Sequence, residues 1–181
     1  MKIAIVICPE ARHAQDPGRR SLQGPGLTPR GRKQAAELAE RMPLEDSDAI
    51  VAGPFLRMLQ ASRLWAGNSG ASRFVHPLAG TRQYPFRFDL AMQPHERPLE
   101  LAEVVGQFGE WLPVPGLPEH LWFQGVHTMP PLLFAQQAAR FVSWCRTLQK
   151  SRVVIVTDEG MRDTLADVLA HEQDFDNCLF L

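Results

Sequence analysis

The sequence predicts an α/β fold, a three-layer α/β/α sandwich around a mostly parallel sheet. Three observations carry that expectation. Short apolar runs rich in β-branched residues recur at Lys2–Cys8, Asp48–Ala52 and Val153–Val156, as strands covered on both faces require. Between them lie segments whose apolar residues recur at helical spacing. The 181 residues, 45% hydrophobic and 22% charged, suffice for one sizeable core and are too few for two ordinary domains, so a single domain over 1–181 is expected.

Lys2–Cys8 reads as the first strand. Residues 9–26 hold Pro, Gly, Arg, Asp and Gln with almost no apolar side chain, which places them on the surface or in a site. Thr28 then caps a helix with Pro29 at its first position and Ala35, Leu38, Ala39 and Met42 on its apolar stripe, ending near Pro43. Asp48–Ala52 is the second strand, and Gly53-Pro54 starts a helix running through Leu56, Leu59 and Leu64 to about Ala66. Arg73–His76 makes a third strand. From about 77 to 131, prolines at 113, 115, 118, 130 and 131 imply an irregular insertion packed over one sheet edge, with one amphipathic stretch at Leu99–Phe108. Phe134, Ala138, Phe141, Cys145 and Leu148 share one stripe of a long helix, and Val153–Val156 follows as the central strand. Met161, Leu165, Val168 and Leu169 mark the last helix, and Cys178–Leu181 a short closing strand. Ligands in such folds bind beyond the carboxyl ends of the strands, which directs attention to the residues after Cys8, Ala52 and Val156.

Charge and composition remove several function classes. Nineteen Lys and Arg against 20 Asp and Glu leave no basic excess for sequence-independent nucleic-acid binding. No apolar run approaches the roughly 20 residues of a membrane span, and the apolar start is too short for an export signal. Three widely spaced cysteines without a C-x-x-C pair fit a reducing cytoplasm, and no histidine spacing implies a metal or a cofactor.

Three blocks carry a resemblance. Leu27-Thr-Pro-Arg-Gly-Arg-Lys-Gln-Ala35, Asp48-Ala-Ile-Val-Ala-Gly-Pro-Phe-Leu-Arg57-Met-Leu-Gln60-Ala61 and Val153-Val-Ile-Val-Thr-Asp158-Glu-Gly160 resemble the signature blocks of the histidine phosphatase superfamily, which includes phosphoglycerate mutases. The resemblance implies a phosphoglycerate mutase-like fold. It also implies a phosphoryl pocket with an R-H-G motif after the first strand, an arginine on the second helix, a carboxylic acid, and a second histidine after the penultimate strand. The first histidine would attack phosphorus while the cations neutralise its oxygens.

The sequence departs from that pattern. Aligned from the N-terminus without gaps, Ile7 stands for the motif's arginine, Cys8 for its nucleophile and Pro9 for its glycine. Asp158 replaces the second histidine, and Pro77–Thr81, where the family supplies its acid, contains no carboxylate. Arg57 alone is kept as a phosphate-binding residue. A phosphate facing Arg57 beside Asp158 meets as much negative as positive charge, each pair at about 4 Å being worth roughly 4 kcal/mol at an effective dielectric near 20. The expectation is a catalytically inactive binding or scaffold protein, its partner a phosphorylated small molecule or a protein, with no nucleic acid and no membrane.

The alternative is an active phosphomonoesterase or phosphohistidine phosphatase in which Arg12-His13-Ala14-Gln15 is an R-H motif displaced by five residues. A thiol nucleophile at Cys8 is disfavoured, because Pro9 removes a backbone N–H from the loop and Glu10 adds a negative charge. Asp158 has two readings, an N-cap of the last helix and a salt-bridge partner of Arg57. Phe108, Trp111, Trp122 and Phe123 are expected to form a local core in the proline-rich middle.

Overall fold

The computed structural model describes residues 1–9, 24, 26–82, 97–124, 126, 129–171 and 178–180. Strands β1 (Lys2–Ile7), β2 (Asp48–Ala52), β3 (Ser72–Val75), β4 (Leu112–Pro113), β5 (Arg152–Thr157) and β6 (Cys178–Phe180) form one sheet in the order β4-β3-β2-β5-β1-β6. Every pairing is parallel. Helices α1 (Pro29–Arg41), α2 (Leu56–Ala66), α3 (Leu101–Gln107), α4 (His120–Gln124), α5 (Pro131–Thr147) and α6 (Glu159–His171) connect and cover it. The sandwich read from the sequence is the fold observed, and β5 is one of its two central strands.

The period-2 alternation of each central strand divides the core into two layers. Ala4, Val6, Ile50, Ala52, Val154 and Val156 face a cluster with Ala35 of α1, Met58 and Leu59 of α2 and Val104 of α3. Ile3, Ile5, Ala49, Val51, Val153 and Ile155 face the other, with Phe134, Phe141 and Cys145 of α5 and Met161 and Leu165 of α6. Each fully buried Val, Ile, Leu or Phe contributes about 1.5–3 kcal/mol of transfer free energy, so both layers are needed to hold the sheet.

Thr28 caps α1, its hydroxyl accepting the Gly31 N–H at 2.9 Å. Thr28→Ala is expected to lower stability by about 1 kcal/mol in urea denaturation. A loss within a few tenths of a kcal/mol would show that the cap contributes nothing.

The structure corrects the sequence in four places. Helix α2 begins at Leu56 rather than at Gly53-Pro54, because the Phe55 N–H closes a turn on the Gly53 carbonyl at 2.8 Å and Phe55 stays extended. Leu64 is 39% exposed, and Trp65 takes its place in the core with its indole N–H on the Met42 carbonyl. Within 97–124 the chain is more regular than its prolines imply. It supplies α3, α4 and the edge strand β4, in which Pro113 sits where a missing N–H costs least. Phe108, Trp111 and Trp122 join the α1–α2 side of the main core instead of a local one, and the Phe123 side chain lies outside what the structure describes.

Candidate functional site

Three backbone segments meet beyond the carboxyl ends of β2, β3 and β5, and their packing leaves no room for side chains at three glycines. A Cβ on Gly53 would lie 2.5 Å from the Gly80 Cα, one on Gly80 2.6 Å from the Phe55 ring, and one on Gly160 2.5 Å from the Arg82 carbonyl. The 80–82 segment is thus clamped between the turn after β2 and the first turn of α6. That clamp places Thr81 between Arg57 and Asp158.

Arg57, second residue of α2, is half-buried and donates from Nη2 to Thr81 Oγ1 at 3.0 Å. Thr81, itself buried, donates a hydrogen bond from its hydroxyl to the Asp158 carboxylate. Asp158 also accepts the Met161 N–H at 3.0 Å, the N-cap contact of α6, and the Arg82 N–H. Burial lifts its carboxyl above the ordinary range, and the Met161 N–H, the Arg57 charge, the Arg82 N–H and the Thr81 hydroxyl pull it back in part. Asp158 therefore caps α6, and its link to Arg57 runs through the Thr81 hydroxyl and the Arg57 charge. Next to it, Thr157 Oγ1 is fully buried and has no hydrogen-bond partner among the described residues.

Ile7 ends β1 opposite Thr157, and Cys8 follows, buried, its N–H on the Thr157 carbonyl at 2.7 Å. Both sit at the strand end where the ungapped alignment puts the arginine and the nucleophile, and Cys8 packs in the apolar cluster. A cavity of about 350 Å³ opens there between Val6, Ile7, Cys8 and Pro9 on one side and Gln34, Glu37, Leu38 and Arg41 of α1 on the other. Arg57 does not line it. Arg12 and His13 lie outside the described residues.

Two residues were passed over in the sequence. Thr81 was read only as a missing carboxylate, although a hydroxyl one residue after Gly80 is a donor aimed at whatever the neighbouring strand presents. His76 showed no paired spacing. It is buried at the end of β3, against the Phe141 ring at 4.5 Å and the Trp144 ring at 5.0 Å, and its Nδ1 accepts the Leu78 N–H at 3.0 Å. Burial pushes its pKa down to about 3. At the opposite ends of the strands, buried Asp48 pairs with Arg152 and accepts the Glu45 N–H, a contact that ties β2 to β5 far from the site. Among the described residues no three His, Cys, Asp or Glu are grouped to hold a metal ion, and no helix is long and apolar enough to cross a membrane.

The family model for the histidine phosphatase superfamily (branch 1) matches residues 11–85. No curated protein matches the sequence significantly. Among solved structures, a candidate alpha-ribazole-5'-P phosphatase from Escherichia coli superposes with a TM-score of 0.56 at 16% identity, covering 93% of this chain and 79% of that one. A phosphoserine phosphatase mutant from Entamoeba histolytica, in complex with phosphoserine, gives 0.54 at 17% identity, covering 96% and 82%. The alpha-ribazole phosphatase from Shigella flexneri gives 0.52 at 18%, covering 92% and 79%. At these identities the likeness establishes the shared fold.

Proposed function

We propose that the chain is a histidine phosphatase-like protein that does not hydrolyse phosphomonoesters and serves as a binding or scaffold protein. The observation that supports this reading is the environment of Asp158. Its carboxylate receives the donors that an incoming oxyanion would use: the Met161 N–H at the start of α6, the Arg82 N–H and the Thr81 hydroxyl, with Arg57 alongside. A side chain fixed to the chain holds that position at high effective concentration, so a phosphate must displace it and then face its charge.

Asp158→Asn keeps an amide oxygen for the Met161 N–H and removes the charge. Inorganic phosphate is expected to bind this variant about tenfold more tightly in calorimetry, equivalent to roughly 1.4 kcal/mol. Stability should move in a matching direction. A carboxyl whose folded pKa is raised carries stability at low pH that is lost as pH rises through that value, so Asn, which never ionises, should be at least as stable as Asp at pH 7. Unchanged phosphate affinity together with lower stability would overturn the reading.

The active alternative starts from the bounds of the family match, which begins at Ala11, one residue before Arg12-His13, and leaves out Ile7 and Cys8. In that frame His13 would be the attacking nucleophile and Arg12 its phosphate-binding neighbour.

A further inference from the structure

The stretch 97–122 holds four glutamates and one arginine, with no lysine. Two of the glutamates are neutralised within the fold. Glu103 takes a bidentate contact from Arg97, at 2.7 and 2.8 Å, and Glu110 one from Arg63, at 2.5 and 2.9 Å. The other two, Glu100 and Glu119, form no ion pair among the described residues, and both are exposed; Glu100 also closes the capping box of α3 and lies in the field of Arg97. They line the same cleft, a cavity of about 360 Å³ between the start of α3 and the start of α4 whose other walls are Leu101, Ala102 and Trp122.

Further large apolar side chains are exposed on α3 and β4. Leu101 and Val105, one turn apart on α3, are 45% and 56% exposed, and Leu112 on the neighbouring edge strand β4 is 58% exposed. Exposed apolar side chains beside two exposed carboxylates that form no ion pair have the composition of a recognition surface, an apolar centre with a charged rim that fixes register.

We propose that the α3–α4 cleft docks a basic protein segment, an aliphatic side chain entering between Leu101, Ala102 and Trp122 while flanking Arg or Lys residues meet Glu100 and Glu119. The charge balance selects this occupant. A second copy of the same face would set Glu100 and Glu119 against their own like, at a cost, and an acidic segment would meet the same two exposed carboxylates.

The test is fluorescence anisotropy of the intact protein with a labelled peptide of one leucine flanked by arginines. Saturable binding is expected, weakening as salt is raised, and falling about tenfold in Glu119→Lys and in Leu101→Ser. Both positions are exposed, and circular dichroism and thermal melting should show both variants folded as the parent is. The same peptide with glutamate for arginine, or serine for leucine, should bind at least tenfold more weakly. The proposal is overturned if the arginine peptide does not saturate. It is equally overturned if the control peptides bind as well, if both variants keep full affinity, or if sedimentation shows the parent self-associating through a contact that Leu101→Ser abolishes.

Discussion

Lowering the pH from 7 towards 3 should cost this protein on the order of 5 kcal/mol through His76 alone. The imidazole is held neutral by burial against Phe141 and Trp144, which lowers its pKa from 6.5 to about 3. The unfolded chain takes up a proton below 6.5 and the folded chain does not, so acid favours unfolding across the window from 6.5 to 3. Nδ1 accepts the Leu78 N–H, so the imidazole proton sits on Nε2, and protonation would remove that acceptor. Asp158 opposes this slope, because its raised carboxyl pKa gains stability as pH falls through its own window. His76→Asn preserves an acceptor for Leu78 and loses the ring, so it should be less stable at pH 7 yet much less sensitive to acid. Guanidinium denaturation at pH 7, 5.5 and 4 measures both slopes. A parent protein no more acid-sensitive than His76→Asn would show that the imidazole does not titrate as its burial requires.

The sheet was legible because its strands β1, β2 and β5 are buried on both faces and so read as near-continuous apolar runs, the pattern that parallel, helix-covered strands produce. Val153–Val156 identified the central position for the same reason. The cap at Thr28 was legible from its neighbour Pro29, since both act locally. What local pattern could not give was the start of α2, which is set by contacts from distant segments: the Leu99 N–H on the Pro54 carbonyl at 2.5 Å and the approach of Gly80 to Gly53. Strand β4 escaped for a similar reason, since two residues carry no periodicity and are ordered by pairing with Phe74 and Val75. The site divided along the same line. Arg57 and Asp158 stood out through the family resemblance, whereas Thr81 acquires its role through the clamp of Gly53, Gly80 and Gly160, which joins segments that are not neighbours in sequence.

Turnover of an aryl phosphate or a phosphohistidine peptide should stay at background in the parent protein and also in Asp158→His. The substitution removes the carboxylate beside Arg57 and is expected to improve anion binding, yet binding alone does not break a P–O bond. Catalytic groups that act as a unit are strongly non-additive, so once the attacking nucleophile is absent the rate is down by several orders of magnitude, and restoring a partner recovers little. In the ungapped frame the strand-end position belongs to Cys8, whose thiol packs in the apolar cluster and whose N–H is spent on Thr157. No phosphate should then be found on His13 after incubation with phosphoryl donors. The opposite result is equally definite. Acid-labile, alkali-stable phosphate on the parent, lost in His13→Ala and kept in Cys8→Ser, with turnover on the order of 1 per second, would place the nucleophile at His13 and make this protein a phosphatase with a carboxylate where a second histidine usually stands.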